Sequence, residues 1–562
     1  MSPLDYVVLL GTMIGIASYG VWRTRGRQNL SAYFRSGHTL GWATIGLSVM
    51  ATQASAITFL SMPGQAYDSG IGFVQNYFGL PIALIVVAAI FLPIYRRLNV
   101  YTAYEYLGHR FDAKTRLLGA GLFLLMRGLS AGLTIYAPAI ILSTVLGWRL
   151  QATIVLTGLF VICYTAVGGN EAVSVTHKWQ MAVIFAGLAT AFAVLLARLP
   201  DGLGLTDTLA VAGTFHKLQA VDFSIDFNTR YTVWSGVLGG VFLSLSYFGT
   251  DQSQVQRYLS GPTLRESRLG LMFNAVLKIP MQFFILLLGT LVFVFYQFET
   301  PPVFFNRPAW TAHAKSDAGA GLRAIEARFD AAHTEQRARI QDWLAARHGA
   351  NPEPAKAAML AAHDHTEALR TEARQALAAA DPRAQKNDSD YVFITFVLEQ
   401  MPHGIIGLLI ALVFSAAVSS LSSEMAALGE TTAVDLYRHV VRTEASDLHY
   451  VHVSKALTTC WGLIAIGFAL FAHLAENLIQ AINILGSVFY GVVLGLFLVA
   501  FFLRRVGGTA VFWGAVAAEA LVLSLFFTLN ISYLWYNPIG CAACVLFSLI
   551  LQAATGSRGA TA

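Results

Sequence analysis

The sequence predicts an all-α polytopic membrane protein, and three observations predict it. Of 562 residues, 56% are hydrophobic and only 12% charged, with a mean hydropathy of +0.58, a balance that water-soluble domains do not carry. The apolar residues fall into separate runs, each of about the twenty residues a helix needs to cross a bilayer. The basic residues cluster in alternate short connections, as orientation in a membrane requires. Because the formal charge of +5 is spread over those connections, it sets orientation and gives no sign of a nucleic-acid partner. The expected surroundings are the lipid bilayer.

Taken in order, thirteen runs read as spans: 4–22, 41–64, 71–94, 117–145, 152–168, 179–198, 231–250, 270–297, 402–424, 453–473, 477–502, 508–529 and 532–553. The first is long, lacks a basic start and is followed by arginines, so it reads as a retained span rather than a cleaved signal. Arg23, Arg25, Arg27 and Arg35 follow it, and Arg96, Arg97, Arg110, Lys114 and Arg116 follow the third run. Lys178, then Arg257, Arg265 and Arg268, then Arg438 and Arg442, then Arg504 and Arg505 mark the later inner loops. The N-terminus is therefore expected outside and the C-terminus in the cytoplasm of a cell inner (plasma) membrane. Residues 299–390 break the pattern, being polar, Ala-rich and charged. There Leu322, Ile325 and Phe329, then Ile340, Trp343 and Leu344, recur at helical spacing, and Pro352 and Pro354 precede a second Ala-rich helix ending near Asp381. This predicts an outer helical hairpin, periplasmic or extracellular, read as a solvated spacer more readily than as a cap. Cys163, Cys460, Cys541 and Cys544 all sit in apolar runs, and the single CxxC lacks the companion pair that metal or redox work needs.

The second run has an unusual centre: Ala51, Thr52, Gln53, Ala54 and Ser55, with Thr58 and a Pro63-Gly64 exit. Small hydroxylated residues there suit either a helix that opens to line a cavity or a helix packed tightly on its neighbours. Ionisable groups inside spans are functional candidates by default. Arg127 stands near mid-depth and offers a planar fork to a carboxylate. Lys278 and Asp251 read either as a pair that neutralise each other or as two walls of a polar pocket. In the ninth run Ser419, Ser420 and Ser423 share a face with Ala416, which suits oxygen ligation of a hard cation or helix packing.

The run 248–259, Phe-Gly-Thr-Asp-Gln-Ser-Gln-Val-Gln-Arg-Tyr-Leu, closely resembles the signature after the sixth core helix of the sodium:solute symporters. Residues 168–180, opening Gly-Gly-Asn-Glu-Ala-Val, resemble that family's fourth-to-fifth helix loop; 416–423 resemble its eighth core helix and 47–64 its first. The resemblance implies a LeuT-like 5+5 inverted repeat with one extra N-terminal and two extra C-terminal helices, making 13 transmembrane helices. The implied division is 1–40, the extra span and its loop; 41–198, the first repeat; 199–502, the second repeat with its insertion at 299–390; and 503–562, the last two spans and a short tail. It also implies Na+ as the coupling ion and a small-molecule solute carried by alternating access. The main sodium site would use carbonyls of Ala51, Ala54 and Ala416 with the hydroxyls of Ser419 and Ser420. Solute-contacting positions would be Gln53, Ser55, Thr58, Phe73, Tyr77, Arg127, Asp251, Lys278 and Gln480.

Ser55, Thr58 and Arg127 together resemble the sialic-acid-transporting members, so the expected solute is an organic anion or acidic sugar, with a neutral sugar or polyol as the alternative. One position departs from the family pattern. Where many members have Thr-Asp, this chain has Thr176-His177, so the carboxylate of a second cation site is missing while Ser422 and Ser423 remain. One Na+ per cycle is expected, with Glu424 and His177 as a candidate replacement pair in which His titrates near neutral pH. Proton coupling in the same fold is the alternative for the driving ion. No Walker motif, nucleophile elbow or HExxH occurs, which points away from an enzyme; a transporter-like sensor is the remaining minor alternative.

Overall fold

The computed structural model describes residues 2–24, 40–98, 100–200, 203–315, 319–349, 351–380, 387–471, 477–529 and 531–555. The basic cluster Arg25, Arg27 and Arg35 lies outside them. All regular structure among the described residues is helical, as lipid demands of a chain that must satisfy its own backbone. The first half comprises α1 (Pro3–Thr24), α2 (Trp42–Gln53), α3 (Ala56–Ser69), α4 (Leu80–Val86), α5 (Leu92–Leu98), α6 (Ala103–Arg110), α7 (Ala113–Leu146) and α8 (Leu150–Ala197). The second half starts with α9 (Leu205–Thr214), α10 (Gly240–Gly249), α11 (Gln252–Leu259) and α12 (Leu264–Phe298). It continues through α13 (Arg307–Ala314), α14 (Ala320–Ala346), α15 (Glu353–Ala380) and α16 (Ser389–Gln400), then α17 (Ile405–Thr431), α18 (Asp447–Ala469) and α19 (Leu478–Phe502). Helices α20 (Gly508–Thr528) and α21 (Tyr536–Thr555) close the chain.

Among the described residues nine helices are long and apolar enough to cross a membrane, and Pro3–Gly15, Leu150–Cys163 and Ser235–Gly249 are shorter apolar helices. The thirteen runs do not map one to one onto these helices, because hydropathy does not see where backbone hydrogen bonding breaks or continues. Helical backbone runs unbroken through 150–197, where the sequence suggests two spans and a loop, and 56–98 is joined by 3-10 and π turns into one apolar stretch.

Local chemistry sets the ends. Asp112 caps α7 by accepting from Thr115 N, and Gly147, at φ +68°, closes it in the left-handed region that glycine tolerates. Thr263 caps α12 through Glu266 N, and Glu266 in turn accepts from Trp42 N at 2.5 Å, tying the start of α12 to the start of α2. Pro63 and Gly64 are not an exit. They lie inside α3, where a β-carbon at Gly64 would overlap the Ser389 carbonyl and one at Gly289 would overlap Pro63. Small residues here bring α3 into backbone contact with α12 and α16.

The insertion is a helical hairpin, and it is docked rather than free. Helices α14 and α15 pack on each other, burying Leu322, Ile325 and Phe329 against Leu369, Ala373 and Leu377. Arg370 is buried among aromatic rings, 4.6 Å from Phe305 and 5.7 Å from both Tyr67 and Phe329, and donates to Tyr67 OH at 3.2 Å and Pro302 O at 2.8 Å. His333 Nε2 meets the Tyr296 carbonyl at 2.8 Å. Through these contacts the hairpin is seated on the ends of α3 and α12.

Candidate functional site

Two helices break, and the breaks hold the polar chemistry. Between α2 and α3, Ala54 (φ −82°, ψ 64°) and Ser55 (φ −76°, ψ 172°) leave the helical region. The last carbonyls of α2 thereby lose their helical donors. Between α10 and α11, Thr250 and Asp251 interrupt the helix, and Asp251 caps α11 by accepting from Ser253 N at 2.9 Å and Ser253 Oγ at 2.6 Å. Broken helices with exposed backbone ends at depth are where secondary transporters bind ions and solute.

The first break faces α17. Ser420 Oγ donates to Thr52 O at 3.1 Å and Ala51 O at 3.4 Å, while Ser419 Oγ is buried with no hydrogen-bond partner. Ala416 lies buried one turn earlier on the same helix. A neutral set of carbonyl and hydroxyl oxygens with one unpartnered buried hydroxyl fits a hard monovalent cation. No cluster of three or more His, Cys, Asp and Glu that could hold a metal occurs among the described residues.

Beside this break lies a cavity of about 120 Å3. Six of the expected solute residues line it: Gln53, Ser55, Thr58, Tyr77, Arg127 and Lys278. Three do not. Phe73 stands behind Tyr77, its ring 5.9 Å from Tyr77 and 5.1 Å from Tyr231. Gln480 is engaged above the cavity, donating to Gln65 Oε1 and accepting from Arg230 Nη1, both at 2.6 Å. Asp251 is sequestered by its cap role and by Arg127.

The charges are arranged differently from the sequence expectation. Arg127 Nη2 donates to Asp251 and, at 2.8 Å, to Tyr490 OH, while Nη1 donates to Glu424 Oε1 at 3.1 Å. Its fork is thus filled by protein carboxylates. Lys278 does not pair with Asp251; the residue lines the cavity, and its Nζ is buried with no hydrogen-bond partner. Nor are Glu424 and His177 joined: Glu424 lines the cavity beside Arg127, and His177 Nδ1 meets Ser48 Oγ at 2.8 Å. Of the second-cation serines, Ser422 Oγ accepts from Thr165 Oγ1 at 2.9 Å, and Ser423 Oγ accepts from the Arg257 guanidinium. A buried arginine therefore stands against that site.

The sequence passes over Asn76, Tyr247, Asn483 and Tyr490, which also line the cavity. Asn483 and Tyr490 lie seven residues apart, on one face of a largely apolar helix. That spacing is a legible signal.

A cavity with polar side chains in its wall at the junction of two interrupted helices is the arrangement secondary transporters use. The chain matches the model of the Sodium:solute symporter family over residues 33–321 and 372–518, and it belongs to that family. It is 25% identical to the sodium/sialic acid symporter of Aliivibrio fischeri over 543 residues, covering 96% of this chain and 91% of that protein. It is 33% identical over 308 residues to the sodium/iodide cotransporter of Homo sapiens, covering 54% of this chain and 47% of that protein. The mouse sodium-coupled monocarboxylate transporter 2 is 24% identical over 601 residues, covering 99% of this chain and 84% of that protein. A solved substrate-bound, outward-open Na+-coupled sialic acid symporter superposes with a TM-score of 0.75 at 23% identity, covering 98% of both chains. The fold is LeuT-like. The protein is a multi-pass membrane transporter that couples Na+ to a small solute, and it is not an enzyme.

Proposed function

We propose that this symporter imports a small organic anion, a carboxylate or an acidic sugar, together with one Na+. The observation that carries the reading is Lys278: a buried ammonium on the cavity wall with no partner. An unpaired buried charge is costly, and a charge-assisted hydrogen bond to a solute carboxylate offsets that cost. Arg127 positions Asp251, Glu424 and Tyr490 instead of gripping solute. Three of the similar proteins are named for anionic solutes, iodide, sialic acid and monocarboxylates, which supports the same charge preference.

Sodium is assigned to the Ala51, Ala54 and Ala416 carbonyls with Ser419 and Ser420. Arg257 beside Ser423 supplies a fixed cation near Ser422 and Ser423, so no second Na+ is expected there. The repeats are taken as 41–198 and 199–502, with the N-terminus and hairpin outside and the C-terminus in the cytoplasm of the inner membrane, on the charge pattern of the short loops. The test is a thermal-shift screen of pyruvate, sialic acid, iodide and glucose with and without Na+, since a ligand that binds only the folded state stabilises it. Carboxylates that stabilise only with Na+ support the reading. Stabilisation by glucose alone overturns it.

A further inference from the structure

Above the cavity, between it and the hairpin, two polar layers join α3 to α19. One layer is Ser61 on α3, Asp390 at the start of α16 and Asn477 at the cap of α19. The other is Gln65, Gln480 and Arg230. Asn477 Nδ2 donates to Ser389 Oγ at 3.1 Å and Asp390 Oδ1 at 3.3 Å, and Asn477 Oδ1 accepts from Ile479 N and Gln480 N. A solute travelling from the hairpin side to the cavity must part α3, α16 and α19 here, so these layers are the closed outer gate.

Asp390 is the outlier within it. Its side chain is buried, yet Oδ2 closes no hydrogen bond of good geometry, and the neighbouring Ser61 Oγ and Tyr136 OH are also buried without one. Among the described residues no cation pairs with the carboxyl. The charged groups that face it are Asp68 from α3 and Asp388 beside it on the chain, both acidic. Arg374 from α15 is taken by Asp388 at 2.9 Å, and Arg370 by Tyr67 and Pro302. Tyr67 on α3, Tyr136 on α7 and Tyr391 on α16 are neutral hydroxyls, and the first turn of α19 presents only backbone and the Asn477 amide. Burial makes the ionised carboxylate costly in that setting, and the hydrogen bonds from Ser61, the Leu478 backbone and Asn477 offset only part of the cost. Protonated, the carboxyl is neutral and stays buried in the closed layer at far lower cost.

We propose that Asp390 is a proton-binding site of the outer gate, holding a proton when α3, α16 and α19 are closed and releasing it to the outer solution when they part. No other bond changes: the Asp390 O–H bond breaks, the proton passes to water, and the carboxylate is hydrated in the open state. Burial, the largest cause, holds the closed-state pKa at about 7, against an ordinary 3.8. Asp390 lies on α16, outside the spanning helices. Because the raised pKa belongs to the closed state, its extra stability is present at low pH and is lost as pH rises through about 7. External acid therefore closes the gate. Between pH 7.5 and 5.5 the closed-to-open ratio should rise ~20-fold by proton linkage.

The experiment measures the gate directly and needs no solute. Spin labels at Trp148→Cys, on the outer α7–α8 connection, and Ala361→Cys, on the exposed face of the hairpin, are introduced with Cys163→Ser and Cys460→Ser. Their distance distribution is recorded in nanodiscs at fixed Na+ from pH 5 to 8. The expected result is a short-distance population that grows as pH falls below about 7 and is independent of pH in Asp390→Asn. Ser61→Ala, which leaves the acid in place but removes the group that lowers its pKa, should move the midpoint upward. A pH-independent wild-type distribution overturns the proposal, as does an unchanged profile in Asp390→Asn. If that variant fails to fold, an unmoved midpoint in Ser61→Ala does the same. Failure of the carboxylate reading would leave these distances untouched.

Discussion

Replacing Lys278 with Met should do two opposite things to the transporter. Met matches the length of the lysine stem and removes only the ammonium, whose Nζ has no hydrogen-bond partner in the structure. An unpaired buried charge costs several kcal/mol even after relaxation, although part of that cost here is offset by the cavity it faces. The solute-free protein should therefore become more stable, by roughly 1–3 kcal/mol. Binding moves the other way. A hydrogen bond to a charged group is worth about 1.5–3 kcal/mol, which at 1.4 kcal/mol per decade weakens solute binding roughly 10- to 150-fold. Fluorescence-monitored unfolding in detergent, run with Na+ and with or without a carboxylate that stabilises the wild type, reads both effects in one assay. The expected signature is a higher solute-free Tm with a smaller solute-induced rise. A lower solute-free Tm with an undiminished rise would refute the reasoning, because it would mean that the ammonium has a structural partner and no solute.

Two further outcomes follow from the same structure. Ser419→Ala with Ser420→Ala removes two neutral oxygens from the proposed sodium site and should weaken apparent Na+ affinity in proteoliposome uptake at least ~10-fold, about 1.4 kcal/mol; wild type and Glu424→Gln should both show a Na+ Hill coefficient of one. Arg370→Ala removes a buried cation stacked on three rings and should cost the hairpin seat ~2–4 kcal/mol, seen as faster hydrogen exchange across 320–380 with the exchange of α17 unchanged.

The broken helix shows how far residue types reach. Ala51, Gln53, Ala54, Ser55 and Thr58 are too small and polar for a lipid-facing helix, so a disturbance near 50–58 was legible. The Pro63-Gly64 pair misleads, because a proline inside a helix and a glycine under a neighbouring carbonyl leave the same letters as a helix exit. The serine face of α17 was legible because helical periodicity alone places Ser419 and Ser420 together. Whether they faced a cation or another helix was not. The unpartnered Ser419 hydroxyl and the α2 carbonyls that Ser420 meets support the proposed cation site, and they come together only in three dimensions.

The sequence by itself determined that this chain lives in a membrane, that its helices carry a family's ion-coupled pattern, and which intramembrane charges matter, since each of these follows from local composition and spacing. The tertiary structure decided how those charges pair. Arg127, Glu424 and Lys278 come from three helices and Asp251 from the break before α11, far apart in the chain, and no spacing rule says which carboxylate fills the arginine fork. Once Asp251 and Glu424 fill it, Lys278 is left on the cavity wall, and that leftover charge is what carries the proposed preference for an anionic solute. The reason is physical: inside a low-dielectric bundle, interaction depends on distances of a few ångströms across helices, and only the packed fold sets them.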